Sequence, residues 1–262
     1  MSSIESAFIA AEQNNSKAFI PFIVAGHPSL DMTEQLIYTL RDAGSSIIEL
    51  GIPFSDPIAD GPVIYRANQE TLAQGVSLPK IFSMLRRVRK KSSVALVLLL
   101  YANTIFAYKI ENFFKTAKEL SIAGVIIPDL PLEEKQEFAQ SAARHGVTII
   151  SLVAPSSGDR IKTICQDAQG FLYCISSLGV TGARDSVLQH LSSMFSEINQ
   201  HCQIPTALGF GISTPEQIRD IKAYAKGFIV GSALVKIIEE HRYEAIEPVR
   251  DFARSMIQAC KL

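Results

Sequence analysis

Eight short apolar runs, at positions 19–25, 46–50, 95–100, 124–127, 147–152, 171–175, 205–208 and 227–230, recur along the 262-residue chain. They are apolar almost throughout rather than at every second position, the pattern of parallel strands covered on both faces. Amphipathic stretches of helical period lie between them, at 32–43, 78–90, 111–120, 133–144, 159–165, 186–199, 215–223, 233–240 and 243–259. Start signals support them: Asp31 as a cap before the first, and Ser77 with Pro79 in the opening turn of the second. Such alternation with right-handed crossovers leaves an open doubly wound sheet or a closed barrel. Eight strands are the number that an α/β chain needs for a (β/α)8 TIM barrel. Two additions to that plan are expected: an extra N-terminal helix over 4–13, covering the barrel's bottom, and an extra helix over 63–73, after strand 2, inside an oversized insert from Pro53 to Ser77. No Ser/Gly linker or charge block divides the chain, so 1–262 reads as a single domain.

Apolar residues (47%) outweigh charged ones (19%), enough for a large core. The formal net charge of −1 gives no electrostatic reason to expect nucleic acid or anionic lipid as a partner. The basic cluster Arg86-Arg87-Val88-Arg89-Lys90-Lys91 falls at a helix end, where cations favour the dipole, and reads as a solvated face. Cys165, Cys174, Cys202 and Cys260 form no C-x-x-C and read as buried free thiols of a reducing compartment. The N-terminus lacks a basic stretch followed by an apolar one, and the run at 94–100 is far too short to span a bilayer. A cytoplasmic protein without a membrane partner is the expectation.

The segment richest in chemistry is Ile47-Ile48-Glu49-Leu50-Gly51-Ile52-Pro53-Phe54-Ser55-Asp56-Pro57-Ile58-Ala59-Asp60-Gly61-Pro62. An acid inside an apolar run is costly unless paired or needed. Acids at the C-terminal end of a parallel strand and in the loop after it suit acid–base work. Glu49 is therefore the leading general acid and base, against a buried structural ion pair. Asp60 is the second candidate, against a turn or cap role, and Asp56 before Pro57 reads first as a turn former. Tyr173 on the sixth strand reaches Glu49 if it faces inward, or else packs in the core. Tyr101 after the third strand and Asp129 after the fourth are pocket candidates or loop caps. His27 reads as a loop residue, and no His or Cys set has the spacing of a metal site.

Two glycine-rich turns close the last two strands: Gly209-Phe210-Gly211-Ile212-Ser213 before a helix start at Thr214-Pro215, and Gly231-Ser232-Ala233 before the next. Glycine admits close approach of backbone N–H groups to an anion, and a helix start leaves such groups unpaired. Loops after strands seven and eight are the usual phosphate site of this barrel. Gly179-Val180-Thr181-Gly182-Ala183, after the sixth strand, is a candidate third wall of the substrate site. No Walker lysine or third fingerprint glycine is present, which argues against a nucleotide.

The run from Glu49 to Pro62 resembles the signature of the tryptophan synthase α-subunit family. Phe19-Ile20-Pro21-Phe22, Tyr101-Ala102-Asn103, Pro128-Asp129-Leu130-Pro131, Gly179-Val180-Thr181-Gly182, Gly209-Phe210-Gly211-Ile212 and Gly231-Ser232 follow in family order. The resemblance implies retro-aldol cleavage of indole-3-glycerol phosphate to indole and glyceraldehyde 3-phosphate. It implies Glu49 for proton transfer, Asp60 beside the ring nitrogen and Tyr173 orienting Glu49. Phe22, Leu99 and Leu100 would line the indole pocket; Gly182, Gly211, Gly231 and Ser232 would hold phosphate. It also implies no cofactor in this chain, a β subunit carrying pyridoxal phosphate (PLP) as partner in an α2β2 heterotetramer, and loops 53–60 and 179–187 as lids. Tyr65, Glu70 and Ser177-Leu178 depart from the common family pattern, which expects Gln, Arg and an Arg-containing pair. Two other readings fit the same architecture: a phosphosugar isomerase or epimerase, which usually adds metal ligands or a lysine, and a non-catalytic phosphate-binding subunit.

Overall fold

The computed structural model describes residues 3–175, 184–209 and 211–262, with side chains outside 184–190. Eight parallel strands close into a barrel: β1 (Ala18–Val24), β2 (Ile47–Gly51), β3 (Ala95–Leu99), β4 (Ile122–Ile126), β5 (Thr148–Val153), β6 (Leu172–Ile175), β7 (Thr206–Gly209) and β8 (Gly227–Val230), with β8 pairing back onto β1. Every expected strand is present. The helices are α1 (Ser3–Gln13), α2 (Leu30–Ala43), α3 (Pro62–Ala73), α4 (Leu78–Arg89), α5 (Ala102–Tyr108), α6 (Ile110–Glu119), α7 (Gln136–His145), α8 (Ile161–Asp167), α9 (Arg184–His201), α10 (Pro215–Ile221), α11 (Ser232–His241) and α12 (Ile246–Cys260). The extra helices expected at the N-terminus and after strand 2 are α1 and α3.

Strand side chains alternate between two apolar layers. Ile20, Ile47, Val97, Ile126, Ile150, Phe171 and Ile229 point into the barrel, where Ile4 and Phe8 of α1 pack among them. Ile23, Leu50, Leu98, Leu100, Val125, Val153 and Val230 belong to the outer layer, against the helices. Leu100 is therefore not a pocket residue. It is one position out of phase with Leu99, and a single-residue step turns a side chain to the opposite face.

Local starts and stops differ from expectation in instructive places. The cap of α2 is Ser29, whose hydroxyl accepts the Met32 N–H at 3.2 Å, while Asp31 pairs with Arg87 from α4. α5 was not expected from the sequence. Its start is capped from a distance: the Asp129 carboxylate accepts the Ala102 N–H at 2.9 Å. Within the basic cluster, Arg86 and Lys90 are exposed, but Arg89 is half-buried and donates to the carbonyls of Leu120, Val94 and Ser121. Cys165, Cys174 and Cys260 are buried free thiols, and Cys202 is half-buried. Among the described residues, no helix is long and apolar enough to cross a membrane.

Candidate active site

Glu49 sits on β2 in register with Phe22 of β1 and Val97 of β3. Its side chain lies in the closed interior, 1% exposed, and its Oε2 has no hydrogen-bond partner among the described residues. Burial, with the charge of Asp60 second, pushes its carboxyl up to about 8. A buried acid without an ion pair costs stability, and among the described residues none pairs with Glu49.

Asp60 arrives by a different route. It ends the loop between β2 and α3, and burial pushes its carboxyl up to about 6. Asn68 of α3 donates Nδ2–H to Asp60 Oδ2 at 2.9 Å, which opposes that rise. The loop has a second tether: the Tyr101 hydroxyl accepts the Ala59 N–H at 3.0 Å, and the Tyr101 ring stacks on Phe54 with centroids 4.7 Å apart. Tyr173 faces the interior, where burial and the charges of Glu49 and Asp60 hold its phenol far above its ordinary value. A Cβ at position 209 would lie 2.8 Å from the Tyr173 hydroxyl, so Gly209 provides the space that this ring fills. Tyr173 thus takes the inward position expected of it, on the same cavity wall as Glu49, with no hydrogen bond between the two among the described residues. Gly51 does the same for Phe22, whose ring tip would lie 2.6 Å from a Cβ there.

These groups surround a cavity of about 360 Å³ at the C-terminal end of the strands. Its walls include Phe22, Leu99, Ile64, Leu152, Ile175 and Ile229, with Glu49, Asp60 and Tyr173 among them and Gly211, Gly231 and Ser232 on one side. The two helix starts near those glycines differ. At α10, Thr214 and Gln217 cap each other's backbone, and the Gln217 amide oxygen also accepts the Ser213 N–H. At α11 the cap residue is Gly231, and no side-chain cap hydrogen bond is made there among the described residues. The uncapped start of α11 therefore offers backbone N–H groups and the Ser232 hydroxyl to an anion.

Not every expected residue reaches the cavity. Leu100 lies in the outer layer. Asp129 caps α5, and Tyr101 holds the loop; neither is on the cavity wall. Thr181, Gly182 and Ser177-Leu178 lie outside the described residues. His27 is a loop residue but a buried one, its Nδ1 3.4 Å from Glu70. Glu70 receives both Arg242 guanidinium nitrogens, and Tyr65 is exposed. Among the described residues, no group of three or more His, Cys, Asp or Glu is arranged to hold a metal ion. Sequence reasoning missed Asn68; its one signal was a polar residue sharing a helix face with Ile64, Ala67 and Thr71.

Together these features make a closed eight-stranded α/β barrel in which two carboxyl groups and a helix start meet one largely apolar cavity, the architecture of a barrel enzyme. The sequence profile of the tryptophan synthase alpha chain family matches residues 8–261. The chain is 43% identical over 258 residues to a tryptophan synthase alpha chain of Thermoanaerobacter sp. (strain X514), covering 98% of each. It is also similar to the crystal structure of the tryptophan synthase alpha chain from Legionella pneumophila subsp. pneumophila (TM-score 0.90, 32% identity, 99% and 97% of the two chains). A structure of tryptophan synthase from M. tuberculosis, an open form with BRD0059 bound, matches at TM-score 0.90 and 27% identity over 100% and 99% of the chains. The chain belongs to the tryptophan synthase alpha chain family. It is a lyase subunit of tryptophan biosynthesis, cleaving indole-3-glycerol phosphate to indole and glyceraldehyde 3-phosphate and passing the indole to a beta subunit.

Proposed function

We propose that Glu49 carries the protons of this cleavage and that Asp60 holds the indole nitrogen. The observation behind this reading is that two carboxyl groups line one largely apolar cavity, where burial pushes the first up to about 8 and the second up to about 6. Around neutrality the first is protonated and the second ionised, two environments giving two roles. Protonated Glu49 delivers its proton to indole C3, and the ring nitrogen becomes cationic beside Asp60. The Glu49 carboxylate then takes the proton of the glycerol hydroxyl next to the scissile bond. That O–H pair becomes the aldehyde C=O, the carbon–carbon bond breaks, and its electrons restore the neutral indole ring. Glu49 ends protonated, as it began, so one group serves both transfers without net proton change.

In this reading Tyr173, which shares the cavity wall with Glu49, orients it. Phe22 and Leu99 clasp the ring, and the start of α11 with Ser232 and Gly211 takes the phosphate, fixing the reacting atoms by the distant tail. The same reading makes 1–262 one domain, assembled with the beta subunit as an α2β2 heterotetramer, with PLP in that subunit and no cofactor here. Exposed Ile58 on the loop and Phe106 on α5 support an apolar docking face near the cavity mouth. Free cysteines fit the cytoplasm. The test is indole release from indole-3-glycerol phosphate, with and without a beta subunit. Glu49→Gln is expected to abolish turnover while retaining the fold and phosphate binding; an active variant overturns the assignment.

A further inference from the structure

Asp60 stands on a loop, yet the reading above needs it to meet a ring nitrogen within hydrogen-bond tolerance. Something rigid must hold it. Asn68 is 3% exposed, in the middle of α3, and its amide donates to one Asp60 oxygen at 2.9 Å. The adjacent Gln69 donates to the carbonyl of Ser55, near the other end of the same loop, at 2.8 Å. α3 thus grips the loop at two points.

The grip matters only if α3 itself is fixed, and two ion pairs fix it. Arg66 meets both oxygens of Glu239 at 2.9 and 3.0 Å, and Glu70 receives both guanidinium nitrogens of Arg242. Arg66 and Glu70 stand on α3, Glu239 lies within α11, and Arg242 directly follows it. Bidentate pairs of this kind add geometric definition beyond their modest energy. α11 is also the helix whose uncapped start faces the cavity. Through α3, the loop carboxylate and the phosphate-side helix share one frame.

We propose that Asn68 is a positioning residue for the lyase reaction, holding one oxygen of Asp60 so that the other meets the substrate's ring N–H. The inference rests on the reading of Asp60 given above. Asn68 also acts on ionisation, since its hydrogen bond favours the charged carboxylate against the burial that disfavours it. Without that donor, Asp60 protonates at a higher pH.

The experiment measures cleavage of indole-3-glycerol phosphate by the chain with its beta subunit, from pH 5.5 to 9. Asn68→Ala and the similarly sized Asn68→Leu are compared with wild type. Each is expected to lower kcat about tenfold near neutrality, with a smaller change in KM, and to move the acid limb upward by about half a pH unit or more. A ¹³C carboxyl titration of Asp60, assigned by its loss in Asp60→Asn, should move the same way. Asn68→Gln, which keeps the amide donor, should recover part of the rate. A structural defect alone would lower rate or stability without moving either titration, and that result in Asn68→Leu overturns the proposal. If Asn68→Ala fails to fold, Asn68→Leu decides. Full activity in Asp60→Asn would instead sink the Asp60 reading, and this proposal with it.

Discussion

Glu49 and Asp60 border one cavity, but they are mounted in opposite ways. Glu49 rides on a barrel strand, in register with neighbours on both sides. Asp60 rides on a loop and depends on tethers, Asn68 at its carboxylate and Tyr101 at the preceding residue. The consequences are electrostatic as well as geometric. The strand residue is buried, with one oxygen unpartnered among the described residues, and burial pushes its carboxyl up to about 8. The loop residue is half-buried and hydrogen-bonded, and its pKa stops near 6. A rigid mount in a dry interior makes an acid; a tethered mount at the rim keeps an anion.

The largest effect expected from breaking this contrast is at Glu49. Glu49→Gln should lower cleavage by about 10³-fold or more, the scale of a lost proton carrier. It should also change stability in a pH-dependent direction. The unfolded carboxyl ionises near 4.5 and the folded one near 8, so the folded state keeps a proton that the unfolded state releases. Stability from this group is present below pH 4.5 and is lost as pH rises through 8. Wild type should therefore become less stable relative to Glu49→Gln across that window, by roughly 4 kcal/mol at its alkaline end. Thermal melts of both proteins at pH 4.5 and pH 9 test this; a constant difference in Tm would mean that Glu49 is solvated when the site is empty.

How much of this contrast is legible in the sequence depends on the kind of order involved. Strands and most helices are visible because apolar periodicity is a property of the chain itself. Glu49 is visible because a carboxylate in an apolar run needs a reason. Facing is harder: Leu99 and Leu100 look alike in sequence, and only the pairing register sends the first into the cavity and the second into the outer layer. Tertiary capping is harder still. Asp129 and Tyr101 look like pocket residues until the loops they secure are in place, and α5 has no cap of its own to announce it. Asn68 reads as an ordinary helix polar group until Asp60 is folded back onto it.

Removing the loop carboxylate comes next in size. Asp60→Asn should lower kcat by about 10²-fold, the range seen when one preorganised partner of developing charge is lost. Because the Asp60 charge helps to hold the Glu49 proton, the variant should also shift the alkaline limb of kcat/KM to lower pH. Wild type should show a bell, with limbs near pH 6 and pH 8 and a maximum between them. A limb that stays near 8 in Asp60→Asn would show that the two carboxyl groups do not sense each other, and the contrast would then be one of mounting alone.

The smallest effect isolates mounting from charge. Tyr101→Phe keeps the ring that stacks on Phe54 and removes only the oxygen that accepts the Ala59 N–H. Leaving that amide without its partner costs about 1 kcal/mol, so kcat/KM should fall by about fivefold. Neither limb of the pH profile should move, because the hydroxyl is bound to backbone and touches neither carboxyl group. Slower closure of the loop would appear as a raised KM with kcat nearly kept, whereas displacement of Asp60 from the ring nitrogen would lower kcat. A moved Glu49 limb in this variant would show that the tether also sets how close the Asp60 charge sits to Glu49, since that charge is the loop's route to the strand carboxyl.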